Sequence, residues 1–266
     1  MTRYFFHIAY NGTHYRGWQR QPNVRSVQEV LETKLAQALK LPAITIIGCG
    51  RTDAGVHASQ FFFHTDLAVP LRENFVFVMN KILPPSIAIF EIITIDSNLH
   101  ARFSAVERVY DYFIHNQKDP FTNDISSLYV DYELDLNKMK KAVALLPKYK
   151  DYKAFCKQPD LHNTTLCDVR SAKLFCTKDH KKIRFQITAN RFLRGQIRIL
   201  VQKLLEIGTD KYSIDEFEQN LATQQRPQLI RPAHPQGLFL SKIVYPGLDL
   251  VNQANFTLPE DYWQAL

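Results

Sequence analysis

The sequence predicts an α+β fold of two ferredoxin-like halves, each a β-α-β-β-α-β run with an antiparallel sheet. Three observations carry this expectation. Apolar residues alternate at period two in several short runs, as in Arg3 to Tyr10, where Tyr4, Phe6, Ile8 and Tyr10 share a face. Between those runs lie stretches with helical spacing and their own start signals. The same order of elements then comes round a second time, although the residues themselves do not repeat.

In the first half, Arg3 to Tyr10 is followed by a helix opening at the capping box Ser26-Val27-Gln28-Glu29. Its apolar stripe is Val27, Val30, Leu31, Leu35, Ala38 and Leu39, and Pro42 closes it. Strands are expected at about Ile44 to Gly48 and Ala58 to Thr65, joined by a loop from Gly48 to His57. A helix over Leu71 to Ile82 stops before Pro84-Pro85, and Ile87 to Ile95 forms the fourth strand.

In the second half, Arg108 to His115 alternates as a strand, and Asp135 caps a helix carrying Leu136, Met139, Val143 and Leu146. Strands near Val169 to Cys176 and Ile183 to Thr188 flank a polar turn. Leu193 to Ile207 reads as a strong helix, Ser213 and Glu216 open an extra short one, and Gly237 to Tyr245 is the closing strand. Residues 1–103 and 104–245 are thus the expected halves, with a cleft between them and 246–266 a surface tail. With helices on one face of each sheet, the other face is expected to be open, as in RNA-binding modules with exposed aromatic residues.

Composition narrows the function. Of 266 residues, 45% are hydrophobic, enough for a buried core and incompatible with a disordered chain. No run reaches the ~18 apolar residues that span a bilayer. The N-terminus enters a strand pattern without an apolar signal region, so a cytoplasmic location is expected. Four cysteines without a C-x-x-C pair, and nine scattered histidines, predict neither a disulfide framework nor a metal site. Thirty-three basic against 26 acidic residues leave +7, a moderate excess that suits an anionic partner.

The segment richest in chemistry is Gly48-Cys49-Gly50-Arg51-Thr52-Asp53-Ala54-Gly55-Val56-His57. Its glycines allow tight backbone turns, and it fixes an Arg and an Asp two positions apart between apolar strands. Taken alone, it also fits a glycine-rich connector whose Asp makes a turn hydrogen bond. It lacks the Lys-Ser/Thr pair of a phosphate-binding P-loop.

Gly50 to Ala58 resembles the active-site signature of the tRNA pseudouridine synthase A family. Other segments match in the same order: Gly17-Trp18-Gln19-Arg20-Gln21-Pro22, the helix start at Ser26, and His100-Ala101-Arg102-Phe103-Ser104-Ala105. Arg108-x-Tyr110-x-Tyr112, Asn190-x-Phe192-Leu193-Arg194 with Arg198, and Gly237-Leu238-Phe239-Leu240 complete the set. The resemblance covers nearly the whole chain and implies a pseudouridine synthase fold with its cleft. It also implies isomerisation of uridine in the tRNA anticodon arm, at positions 38 to 40, on a base flipped out of its stack. It further implies a homodimer, with no membrane, metal or cofactor involved.

By the same resemblance, Asp53 is the catalytic carboxylate, Tyr110 the ring that packs on the target base, and Arg198 the cation that pairs with the aspartate. Read from alternation alone, Tyr110 would be a core residue beside Tyr112. Arg191, Arg194 and Arg198 fall on one face of the expected helix, a pattern that also suits a solvated basic face, the reading kept for Lys203. Arg51, Gln19, Arg20, Arg25, His57, Arg102 and Arg194 are candidate RNA contacts, of the phosphate type that positions the RNA without reading sequence. The chain departs from the family at Cys167, Arg191, Ile199 and Gln202, where an Arg, a Gly, an Asn and a Gly are usual. Two other readings compete: a tRNA-binding or RNA-folding module with weak or lost catalysis, and a hydrolase using Asp53, which wants a second carboxylate that the loop does not supply.

Overall fold

The computed structural model describes residues 1–130, 133–248 and 262–266. The chain divides into two compact units, Met1–Val106 with Phe239–Phe256, and Glu107–Leu238 with Thr257–Leu266.

The first unit runs β1 (Thr2–Tyr10), α1 (Val27–Leu39), β2 (Ile47–Gly48), β3 (His57–Leu67), α2 (Phe75–Ile82) and β4 (Ile87–Ile95). Strand β1 is central, antiparallel to β3 on one side and to β4 on the other. The far edge of β3 takes β2 at Phe63 and His64, and at its start a later strand, β9 (Leu238–Val244). Helix α1 begins as expected, with Ser26 Oγ accepting the Glu29 amide at 3.3 Å. It ends before Pro42, because Lys40 turns left-handed (φ 54°) and its amide caps the last turn.

Both faces of this sheet are buried, which corrects the expectation of an open one. On one face Phe6 stacks on Phe63 at 4.5 Å and Trp18 on Phe61 at 4.0 Å. On the other, Phe5 stacks on Phe62 at 5.2 Å, and Tyr245 meets both rings edge-on. The turn at His100 to Ser104 lies over the same face: Ala101 donates its amide to His64 Nδ1 (3.2 Å) and accepts the Tyr245 hydroxyl. These aromatic side chains are core, not a platform for bases.

The second unit comprises β5 (Glu107–His115), β6 (Ser127–Leu128), α3 (Leu136–Val143), β7 (Val169–Cys176), β8 (Lys182–Ala189), α4 (Gln196–Gly208), α5 (Ile214–Thr223) and β10 (Gln264–Ala265). Its strands run in the order β10-β7-β8-β5, with β6 off that path and paired to β5. Asp135 and Ser213 cap α3 and α5 through the Lys138 and Glu216 amides. Buried Asp111 accepts from Arg184 Nε at 2.7 Å and from Gln186 Nε2 at 3.0 Å, so its charge is paired.

Four expectations change. The sheets are not wholly antiparallel: β9 runs parallel to β3 and β6 parallel to β5, pairings made without a tight hairpin to impose direction. From Phe239 onward the expected closing strand of the second half groups with the first unit. Helix α4 starts at Gln196, after Gly195 in the left-handed region (φ 71°), so Arg191 and Arg194 precede the helix instead of sharing its face. Of the expected tail, Gln264–Ala265 pairs with β7, while residues 249–261 lie outside the described residues. Among the described residues no helix is long and apolar enough to cross a membrane.

His64, 2% exposed, is brought down to about 4 by burial first, then by the charges of Arg3 and His100. Protonation would also take away the lone pair that accepts the Ala101 amide. A folded-state pKa below the unfolded value means that this contribution is fully present above about pH 6.5 and lost as pH falls towards 4. It amounts to at most ~3 kcal/mol. Urea unfolding between about pH 7 and pH 4.5 is expected to show a steeper loss of stability in the native chain than in His64→Asn. Equal slopes would refute the assignment.

Candidate active site

Two irregular segments of the first unit, residues 11–26 and 49–56, make the surroundings of Asp53 by pairing with each other. The Trp18 amide donates to the Thr52 carbonyl (3.2 Å), and the Gly55 amide to the Tyr15 carbonyl (3.2 Å). Thr52 is buried, its hydroxyl 2.8 Å from that of Tyr10. Past it the chain turns on itself, the Val56 amide donating to the Asp53 carbonyl at 3.2 Å. Asp53 is half-buried, whereas Arg51 and Ala54 on either side are exposed.

The close approach explains several glycines. A Cβ on Gly12 would lie 2.0 Å from the Val56 carbonyl oxygen, and one on Gly48 would lie 2.7 Å from the Trp18 ring. Gly17 has φ +90°, and a Cβ there would sit 2.4 Å from the Thr52 carbonyl oxygen. His57 is fully buried: its Nδ1 accepts the Gly12 amide (3.0 Å) and its ring stacks on Phe239 at 4.5 Å. This removes His57 from the RNA contacts and makes it a brace for the loop.

The other candidates of this unit reach solvent. Arg20 pairs with Glu32 at 3.0 Å and keeps 60% of its side chain exposed. Arg25 lies over the Tyr15 ring at 5.3 Å, and Arg102 over Phe103 at 5.7 Å. Gln19 is half-buried.

In the second unit, Tyr110 and Tyr112 separate in environment despite sharing a face. Tyr112 is fully buried, donates to the His234 carbonyl at 2.7 Å, and has its hydroxyl pushed well above the usual range by burial. Tyr110 is half-buried and meets Phe192 edge-on at 5.1 Å. Arg108 and Asn190, from two separate motifs, meet where the Arg108 guanidinium donates to the Asn190 carbonyl (2.8 Å).

Arg198 is half-buried on α4 and held from both ends by one residue. Its Nε donates to the Ala233 carbonyl at 2.7 Å, and its own carbonyl accepts the Ala233 amide at 2.9 Å. Ala233 was missed in the sequence, although the Pro232 and Pro235 around it signal a fixed loop. Arg194 is exposed and donates to the Gln158 side chain. Lys203 corrects the basic-face reading: it is 3% exposed, bonds Glu206 at 2.7 Å and sits 4.4 Å over the Tyr212 ring.

The departures are accommodated locally. Ile199 is fully buried, and Gln202 donates to Glu206 one turn on (3.1 Å). Cys167, its thiol pushed up to about 12 chiefly by burial, faces Gln196 Oε1 at 3.6 Å.

Gly17→Ala is expected to destabilise the chain by about 1–3 kcal/mol and to red-shift tryptophan emission as Trp18 loses its seat. Gly50, where a Cβ meets nothing within 4 Å, is the control: Gly50→Ala should stay within ~0.5 kcal/mol of the native chain. Urea unfolding followed by fluorescence decides it, and equal behaviour of the two variants would contradict the clamped-loop geometry.

The model of the family described as tRNA pseudouridine synthase matches residues 7–103 and 149–246. A tRNA pseudouridine synthase A of Porphyromonas gingivalis is 38% identical over 254 residues, covering 93% of this chain and 98% of that protein. A protein of the same name from Bacteroides fragilis is 38% identical over 248 residues, covering 92% and 97%. One from Gloeobacter violaceus is 35% identical over 248 residues, covering 92% and 81%. The matched residues include both clamped segments around Asp53 and the Arg198 helix, and the chain belongs to the tRNA pseudouridine synthase family.

Proposed function

We propose that this chain isomerises uridine to pseudouridine in the anticodon arm of tRNA, at positions 38 to 40, with Asp53 as the reacting carboxylate. The observation that carries the reading is a half-buried carboxylate on a braced loop, within a stretch matched by the family model. The reaction breaks the bond from N1 to C1′ and forms one from C5 to C1′. C5 gives up a proton and N1 gains one, so nothing is consumed and neither metal nor cofactor enters the balance.

An ionised carboxylate meets these demands in three ways: by attack on C1′, by attack on C6, or by promoting elimination through a glycal. In each, the target nucleoside leaves its stack at a cost of a few kcal/mol. Tyr110 is the ring for the everted base, a contact of about 1–3 kcal/mol, and a candidate acceptor for a sugar proton. Arg198 is the cation offered to the charge of the reacting carboxylate. Arg51, Gln19, Arg20, Arg25, Arg102 and Arg194 are phosphate or backbone contacts. The working form is a cytoplasmic homodimer.

Unmodified tRNA incubated with the native chain and mapped by chemical labelling should gain pseudouridine at positions 38 to 40. Asp53→Ala should still bind tRNA and give only background product. Binding without product from the native chain would favour an RNA-folding module, and free uracil would favour a hydrolase.

Arg198→Gln should lower the rate of pseudouridine formation by at least about tenfold, since a cation beside the reacting groups would act chiefly on the transition state. An unchanged rate with tRNA binding retained would leave Arg198 a purely structural residue.

A further inference from the structure

A groove of about 980 Å³ crosses the first unit and does not include the Asp53 loop. Its walls are the early loop from Arg20 to Arg25, the outer side of α1 and the chain just after α2. Val30 and Leu83, both nearly buried, give it an apolar floor. Around that floor stand Arg20, Arg25 and Lys34, against one carboxylate, Glu29.

The basic groups are held in place by their neighbours. Glu32 anchors Arg20 and leaves the guanidinium mostly exposed. Arg25 is steadied on the Tyr15 ring, and Lys34 reaches Gln37 at 3.3 Å.

We infer that this groove seats a stretch of tRNA sugar–phosphate backbone away from the nucleotide that reacts at Asp53. Arg20, Arg25 and Lys34 meet phosphates, and Glu29 accepts from a ribose 2′-hydroxyl. The inference rests on the reading of tRNA as substrate and adds a second place at which it is held.

Charge selects the occupant. Arg20, Arg25 and Lys34 outnumber two carboxylates, Glu29 and the Glu32 that pairs with Arg20, which suits a polyanion. Glu29 on the rim repels phosphate and needs a hydroxyl or amino donor. RNA supplies both at each residue, since the 2′-hydroxyl donates beside every phosphate. The apolar floor matches a ribose or base face. The volume lies at the upper end for small-molecule clefts and the groove is open to solvent, so a single small anion would be poorly enclosed.

Geometry links this groove to the reacting loop. The early loop that forms one wall continues through Gly17 and Trp18, which hold Thr52, the residue before Asp53. RNA on the groove therefore binds the same segment that fixes the catalytic loop. Contacts there position the substrate without reading its sequence.

All four native cysteines are buried, so Thr33→Cys, on the exposed groove wall, supplies the one accessible thiol for a benzophenone label. Photolysis with unmodified tRNA should cross-link nucleotides other than the target uridine. In the unlabelled chain, Lys34→Glu should raise KM roughly tenfold with kcat changed less than about twofold. The slope of log affinity against log salt should become shallower by about 0.9.

Cross-links between two copies of the chain, cross-links confined to the target uridine, or an unchanged KM and salt slope in Lys34→Glu would each overturn the groove. The two readings fail separately. RNA cross-linked at position 33 by a chain that makes no pseudouridine keeps the groove and sinks the enzyme. Pseudouridine formed without cross-links or a KM effect does the reverse.

Discussion

The contact between the Trp18 amide and the Thr52 carbonyl is the constraint on which the site of the first unit depends. Residues 15–18 and 52–55 lie outside every helix and strand, and several of their backbone groups find partners in each other. The indole fixes the spacing, because it is stacked on Phe61 of β3 and leaves no room for a side chain at Gly48. Gly12 and Gly17 meet the Asp53 loop closely, backbone against backbone. The loop that carries Asp53 therefore has little conformational freedom left to lose.

Polar groups in the core serve the same end. His57 and His64 are both buried, and each spends a ring nitrogen on a backbone amide from an irregular segment, Gly12 in one case and Ala101 in the other. Gln60 Oε1 accepts the amide of Ile243, on strand β9, at 2.8 Å. A buried amide without a partner would cost about 1–3 kcal/mol, so these side chains determine which loop lies against which strand. The aromatic faces of the first sheet are accordingly closed by its own chain.

Much of this order was legible in the sequence, and what was not has physical causes. Ile87–Ile95 and Val169–Cys176 were placed to the residue because alternation and flanking turn residues agree there. The caps at Ser26, Asp135 and Ser213 are local chemistry and could be read locally. The parallel partnership of β9 with β3 joins residues some 180 positions apart (Ala58 with Leu240), and no local pattern encodes it. The start of α4 was misplaced because Leu193 continues the apolar stripe, while the conformation of Gly195 cuts it. Asp53, Tyr110 and Arg198 were singled out by the family resemblance, not by periodicity. The burial of His57 and the anchoring of Arg198 on Ala233 depend on contacts distant in sequence.

The departures in the second unit follow from how α4 is used. Most of its residues are buried, Ile199 and Lys203 among them, so the helix is chiefly a core element. Lys203 meets the demand of burial with an ion pair and a ring, and Gln202 turns along the helix axis to Glu206. None of these contacts uses Arg198, whose anchor comes from the Ala233 loop. Positions that serve only packing can change in concert with their neighbours. Divergence at Ile199 and Gln202 therefore leaves in place the bond from the Arg198 guanidinium to the Ala233 carbonyl, because neither side chain takes part in it.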